Sequence, residues 1–351
     1  MKLLNSRLIS PKRCFLLLLI ALPLVSLLGL MTGPVFIPLS DILAIIFSGG
    51  GGGGGGGANS QEKLIVEIIR LPRVVLSLLV GALLATCGAL LQGLFRNPLA
   101  DPALIGVSAG ASVGASLVIV FGSMLTANGL LLGLSAISVG AFAGAIITSV
   151  IIFRLATGPQ GTSVATMLLA GIAISALAGA ATNTLSYLAD NDMLRRISLW
   201  QMGNLQGASW DRVGLCAVTS GFLSLLIPRE AGALNAMLLG ESEARHLGVN
   251  VEWLKRRLII YSALGVAISV AVAGVIAFVG LMIPHVIRLL VGPDHRALLP
   301  LSALAGAILL VAADALARVV ITPAELPVGV VTALLGAPFF LWLLVVQRRR
   351  T

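Results

Sequence analysis

Charge is what this sequence has least of: Asp, Glu, Lys and Arg together make up 11% of its 351 residues, where a water-soluble domain carries about 25%. An ordinary aqueous surface is therefore excluded. Aromatic residues are also few, at 5%, and the net charge of +9 sits in short clusters at the ends of apolar runs. That pattern argues against a nucleic-acid partner, which would need a basic face with aromatics interleaved. Cys14, Cys87 and Cys216 lie inside apolar runs without paired spacing, which points to neither a disulfide framework nor a zinc site. His246, His285 and His295 are too dispersed for a metal cluster and belong to no H-E-x-x-H pattern, so they read as hydrogen-bonded structural residues. No G-x-x-x-x-G-K-[ST] run is present to cradle phosphates, and energy from ATP would have to come through a partner.

What the sequence does have is long apolar blocks, with 58% hydrophobic residues and a mean hydropathy of +1.05. Barrel strands would show short alternating segments instead. Each spanning helix needs about 20 apolar residues, and ten such blocks fall near residues 14–33, 74–95, 103–123, 129–154, 163–188, 211–228, 258–274, 276–291, 298–318 and 328–347. The division between the seventh and eighth, at Ala273 and Gly274, rests on length alone. The chain thus reads as an all-α polytopic membrane protein of about ten transmembrane helices, forming a single domain over 1–351.

The first block follows Lys2, Arg7, Lys12 and Arg13, like the start of a signal peptide, but no small-residue cleavage site follows Met31, so it reads as a retained helix. With both termini cytoplasmic, 16 of the 23 basic residues fall on the cytoplasmic side, as the positive-inside rule requires. Gly49 to Gly57 form an unbroken glycine tract between the first two spans, expected to be a flexible extracytoplasmic loop. Gly88 and Arg96 end the second span with the spacing at which Gly280 and Arg288 end the eighth, an echo of the duplicated halves found in many transporters.

Between the second and third spans, Arg96, Asn97, Pro98, Asp101 and Pro102 make a tight cytoplasmic turn, with Asp101 placed to cap the next helix and Pro102 at its first position. The longest cytoplasmic loop, 229–257, contains a helical stretch from Glu241 to Leu247, with Gly240 before it and Gly248 placed to stop it. On physics alone this stretch also fits an amphipathic helix lying on the membrane beside the basic flank Lys255 to Arg257. Arg70, Arg73 and Arg318 lie on the extracytoplasmic side, where the positive-inside rule disfavours them; anchoring to headgroups would explain them, with Asp314 pairing Arg318 along one helix. In the fifth span Gly171, Ser175, Gly179 and Asn183 recur every fourth residue, with Thr182 and Ser186 nearby. Such a stripe usually packs helices together, but Asn183 is costly in lipid unless it faces a partner or water.

Several separated segments, in order, resemble the permease subunits of the iron-chelate, haem and vitamin B12 class of bacterial ATP-binding-cassette importers. They are Leu71-Pro72-Arg73, the turn from Arg96 to Pro102 with Gly106-Val107-Ser108, Leu239-Gly240-Glu241 with Ala244-Arg245 and Leu247-Gly248, Phe278 to His285, Asp294-His295-Arg296, and Glu325 to Thr332 leading to Gly336-Ala337-Pro338. The glycine tract departs from the family's pattern.

The resemblance implies a bacterial inner-membrane permease, multi-pass and without its own ATPase site, that pairs with a second copy of itself. Its other partners would be two ATP-binding-cassette subunits and a periplasmic binding protein. It implies that Gly240, Glu241, Ala244, Arg245, Leu247 and Gly248 form the helix coupled to the ATPase, and that Arg70, Arg73 and Arg318 meet acidic residues of the binding protein. No cofactor would be permanently bound. The segments Tyr187 to Asp190, Leu199 to Gly203 and Gly207 to Trp210 look most like the haem-importing branch, with ferric siderophore and vitamin B12 as the alternatives. A polytopic enzyme would need a cluster of ionisable residues at one depth in the bilayer, which the sequence does not offer. A passive channel would have no use for the 229–257 loop.

Overall fold

The computed structural model describes residues 8–47, 60–125, 136–159, 161–322 and 324–348. The glycine tract lies outside them. Each of the ten expected spans holds a helix. In chain order these are α1 (Pro11–Met31), α4 (Leu71–Leu94), α5 (Val107–Leu125), α6 (Ala136–Ala156), α7 (Val164–Leu188), α9 (Trp210–Met237), α11 (Val251–Ala273), α12 (Val279–Val291), α13 (His295–Ala317) and α14 (Val328–Arg348). Between them lie short elements below span length: α2 (Leu39–Phe47), α3 (Ser60–Leu64) running through a π-turn at Ile65–Arg70 into α4, α8 (Asn191–Gln201) and α10 (Glu241–His246). A hairpin, β1 (Thr157–Gly158) with β2 (Gly161–Thr162), joins α6 to α7. Among the described residues seven of the ten span helices are long and apolar enough to cross a membrane, while the apolar stretches of α5, α12 and α14 are shorter.

The helix α4 forms the centre of the bundle, packed by α9, α11, α12 and α13. Glycine makes this possible. A methyl group at Gly88 would collide with the Gly280 carbonyl of α12, and one at Gly81 with the Gly306 carbonyl of α13. The two glycines of the internal echo therefore face each other. Beside them Arg288 donates to the Gln92 side chain (2.8 Å), and Gln92 donates to the Leu281 carbonyl (3.0 Å). The tightest small-residue seam is between α5 and α6, where Gly110 and Gly114 interlock with Gly144 and Gly140 at distances that admit no Cβ.

The division between α11 and α12 falls where length placed it, and the backbone supplies the reason. Gly274 caps α11 at φ +69° and Phe278 enters α12 in the left-handed region at φ +68°. α12 then runs for only 13 residues, about 20 Å at 1.5 Å per residue, too short for a hydrocarbon core of about 30 Å. Irregular backbone at membrane depth survives only where protein covers it. Here the Asn204 N–H donates to the Ala273 carbonyl (2.7 Å), and Gly203 and Gly329 lie close against the Val275 carbonyl.

The 96–102 turn forms as expected, with one correction. Arg96, at φ +51°, closes α4 by donating to the Gly93 carbonyl, and Asn97 donates to that of Gln92. The Asn97 side chain then accepts from the Leu99 N–H (2.9 Å). Asp101 does cap, accepting from the Ala103 N–H (2.7 Å), but it caps a short 3₁₀ turn (Pro102–Ile105). Gly106 at φ +71° ends that turn, so α5 starts at Val107 rather than near 103.

Candidate functional site

On the cytoplasmic face, α9 ends at Met237 and the chain reverses through Leu238 and Leu239 into Gly240. Gly240 sits at φ +122°, ψ 158°, a conformation open essentially only to glycine. From it α10 starts with Glu241 and Glu243 in its first turn and Arg245 and His246 in its last, the order that complements the helix dipole. Gly248 stops it: at φ +84° its N–H donates to the Arg245 carbonyl, while that of Val249 donates to Ala244, the paired bonds of a Schellman cap. Ala244 is fully buried, while Leu239, Leu247 and Trp253 are exposed around it. The loop thus holds a short helix fixed on its inner side and apolar on its outer side.

The inner side is fixed by a residue that the sequence offered only as part of a basic flank. Lys255, near the start of α11, is buried, and its Nζ reaches Glu241 (2.8 Å), Glu252 (3.4 Å) and the Thr162 carbonyl (3.1 Å). Glu252 in turn accepts from the Thr162 N–H (2.8 Å). Glycine suits position 161, at φ +101°, where any Cβ would be strained and would also press on the Glu252 carboxylate. Thr162 precedes Ser163, whose side chain caps α7. The helix α10 is therefore tied to the first turn of α7 through one buried ammonium, one carboxylate and a two-stranded hairpin. Glu241, Ala244 and Arg245 come together in this cluster. Gly240 and Gly248 bound it, and Leu247 points outward.

A family model described as the FecCD transport family matches residues 18–346. The chain belongs to the FecCD transport family. It is 49% identical to the hemin transport system permease protein HmuU of Yersinia pestis over 80% of this chain and 83% of that one. It is 45% identical to the cobalamin import system permease protein BtuC of Halobacterium salinarum over 80% and 73%. A solved structure of a metal-chelate type ABC transporter in an inward-facing conformation superposes with a TM-score of 0.80 at 31% identity, covering 94% of this chain and 98% of that one. The recognition made from the separated motifs therefore holds: this is a multi-pass transport permease.

On the extracytoplasmic side, the three arginines of this FecCD permease are held by partners within the chain. Arg73 binds Asp314 (2.8 Å) and Glu325 (2.8 Å), and Gln206 adds a bond to Glu325 (2.9 Å). Arg318 pairs with Asp314 (3.1 Å) and donates to the carbonyls of Gly29 and Thr32, both at 2.8 Å. Arg70 donates to the carbonyls of Leu30 (2.6 Å), Met31 (2.9 Å) and Val35. All three are at most 6% exposed within the chain. Arg70 and Arg318 satisfy the last carbonyls of α1, which have no helical donor, while Arg73 ties α4 to α13 and to the segment before α14. Glu325, outside the spans, would be pushed up by its partial burial; the bonds from Gln206 and Arg73 and the charges of Arg73 and Arg318 outweigh that and hold its carboxyl below the usual range.

The pathway candidates lie on α7, the helix that follows the hairpin. Gly171 and Thr182 are buried, Ser175 and Ser186 half-buried, and Gly179 and Asn183 exposed. A Cβ at Gly179 would meet nothing within 4 Å, so within this chain that part of the stripe packs against nothing. The histidines divide: His246 is exposed, His285 packs beside Phe339 and Phe340, and His295 binds the Asn235 side chain through Nδ1 (2.9 Å).

Proposed function

We propose that this permease carries haem, or another iron chelate, inward across a bacterial inner membrane. A second copy of the chain forms the other half of the pathway, two ATPase subunits bind the cytoplasmic loops, and a periplasmic binding protein delivers the cargo. The observation that carries the coupling mechanism is the buried Lys255 clamp between α10 and α7. The 49% identity to a hemin permease supports haem as cargo. A pathway for a bulky chelate should bind it weakly, with selectivity left to the binding protein.

In this reading ATP binding draws the ATPase pair together and displaces the two coupling helices, with Leu239, Leu247 and Trp253 as the apolar contacts. Glu241, Lys255 and Glu252 pass the displacement to Thr162, and α7 tilts with it. The part of the stripe at Gly179 and Asn183, exposed within its own chain, then lines the space between copies, where the Asn183 amide meets water rather than lipid. The change is a shift between two packings, driven by the nucleotide's preference for one of them. The arginine cluster keeps the extracytoplasmic ends of α1, α4 and α13 fixed while this happens.

Substrate-stimulated ATP hydrolysis by the reconstituted complex, with haem, a ferric siderophore and vitamin B12 compared side by side, tests the cargo. Stimulation by haem above the other two is expected; stimulation by vitamin B12 alone would favour the second reading, for which the 45% identity to a cobalamin permease speaks. No stimulation by any of the three would reject both.

A further inference from the structure

Between α1, α4, α9 and α13, on the cytoplasmic half of the bundle, lies a hollow of about 750 Å³. Its walls are mostly apolar, with Leu83, Leu223, Ile227 and Leu299 among them, and its rim at Phe15, Ser224 and Pro300 is exposed. Pro228 and Pro300 lie inside α9 and α13 and both line it. Each removes a helical N–H and crowds the preceding turn, which keeps the two helices from closing on each other. From Arg296 to Leu304 the wall follows α13 for about 12 Å at 1.5 Å per residue, close to the roughly 15 Å of hydrocarbon in one leaflet.

The mouth of the hollow is basic. Arg296 lines it, and Lys12 lines a smaller hollow of about 280 Å³ that shares Phe15 and Pro300 with the first. A bond from the Ile9 N–H to the Leu290 carbonyl (3.1 Å) holds the segment before Lys12 in place. Arg13 and Arg229 are exposed at the same ends of α1 and α9. Among the described residues none of these four has a carboxylate within ion-pair distance. Of the acidic groups nearby, Glu230 pairs with Arg257 (3.3 Å), and Asp294 accepts from Asn235 (2.7 Å) and from the Arg296 backbone, with the Arg296 charge also acting on it.

We infer that this hollow is a binding site for an anionic phospholipid of the cytoplasmic leaflet, its acyl chain between α9 and α13 and its phosphate between Lys12 and Arg296. Depth, apolar lining and an excess of positive charge at the mouth fit a lipid, whereas a protein helix could use the apolar wall but would leave the basic mouth unmatched. Clustered basic residues at that membrane surface attract anionic headgroups. The site does not depend on which chelate is carried.

The test is native mass spectrometry of the full-length protein in detergent, given equal amounts of phosphatidylglycerol and phosphatidylcholine with identical acyl chains. Wild type is expected to retain several-fold more phosphatidylglycerol. The double variant Lys12→Gln/Arg296→Gln is expected to lose the preference while still retaining some of both lipids. Ala303→Trp, which fills the hollow, is expected to lose both, with an unchanged melting temperature confirming that it folds. Equal retention by wild type, a preference that survives in the double variant, or full retention by Ala303→Trp would each overturn the site. Disulfide cross-linking between copies through Ser224→Cys would also overturn it, because the face would then be covered by a second permease.

Discussion

Replacing Lys255 by Met removes one buried ammonium and keeps most of its volume. Three acceptors lose their donor: Glu241, Glu252 and the Thr162 carbonyl. Hydrogen bonds to charged groups contribute roughly 1.5–3 kcal/mol each when buried, but the Glu241 and Glu252 side chains are 34% and 39% exposed. Solvent screens those two, so a total of about 1.5 kcal/mol is the reasonable figure for the whole link. As a coupling free energy between α10 and α7, that amounts to roughly tenfold. Uptake per ATP hydrolysed in proteoliposomes should therefore fall roughly tenfold, while the ATPase subunits stay bound and hydrolysis continues. Arg245 is the control: 59% exposed and 3.8–3.9 Å from the same carboxylates, its replacement by Ala should change uptake per ATP less than twofold. An unchanged ratio in Lys255→Met, or an equal loss in Arg245→Ala, would refute the clamp.

Gly240→Ala should destabilise the permease by about 1–3 kcal/mol through backbone strain alone, since a Cβ there meets little else; the melting temperature in detergent reads this. Arg73→Ala leaves Asp314 buried with only Arg318 beside it and should cost about 3 kcal/mol, read as lower extraction yield and melting temperature rather than as a salt-dependent change in binding-protein affinity. The Glu325 carboxyl is held below its unfolded value, so its contribution is complete above about pH 4.3 and is lost as pH falls below that. The difference in melting temperature between wild type and Glu325→Gln should accordingly shrink on acidification from pH 7 and vanish in strong acid. Gly110→Leu should disrupt the α5–α6 seam and abolish recovery of folded protein, whereas Gly179→Leu should leave the isolated chain folded and impair transport only.

The spans were legible because a bilayer demands about 20 apolar residues per crossing, and the sequence shows each block. The short helices α2, α3 and α8 were not, because at nine, five and eleven residues they fall below that length and carry no spanning signal. Positive-inside counting marked Arg70, Arg73 and Arg318 as out of place without saying what compensates them. The compensation is internal, from partners such as Asp314, 241 residues beyond Arg73, and no local pattern reveals such a pair. Lys255 hid for the same reason: its contact with Thr162 is to a backbone carbonyl 93 residues away, which leaves no trace in side-chain spacing. The helix α10 itself could be read from the sequence, because Gly240 and Gly248 take backbone conformations other residues avoid. Small-residue stripes were ambiguous, since α5, α6 and α7 all carry them and only the fold tells which interlock within the chain.

The link from nucleotide to pathway is tested most directly by the distance between spin labels at Ala165→Cys in the two copies of the assembled complex, at the first turn of α7. ATP binding should shift that distance, and the shift should disappear in Lys255→Met. A shift of the same size without the lysine, or none in the wild type, would contradict the transmission of movement from α10 to α7.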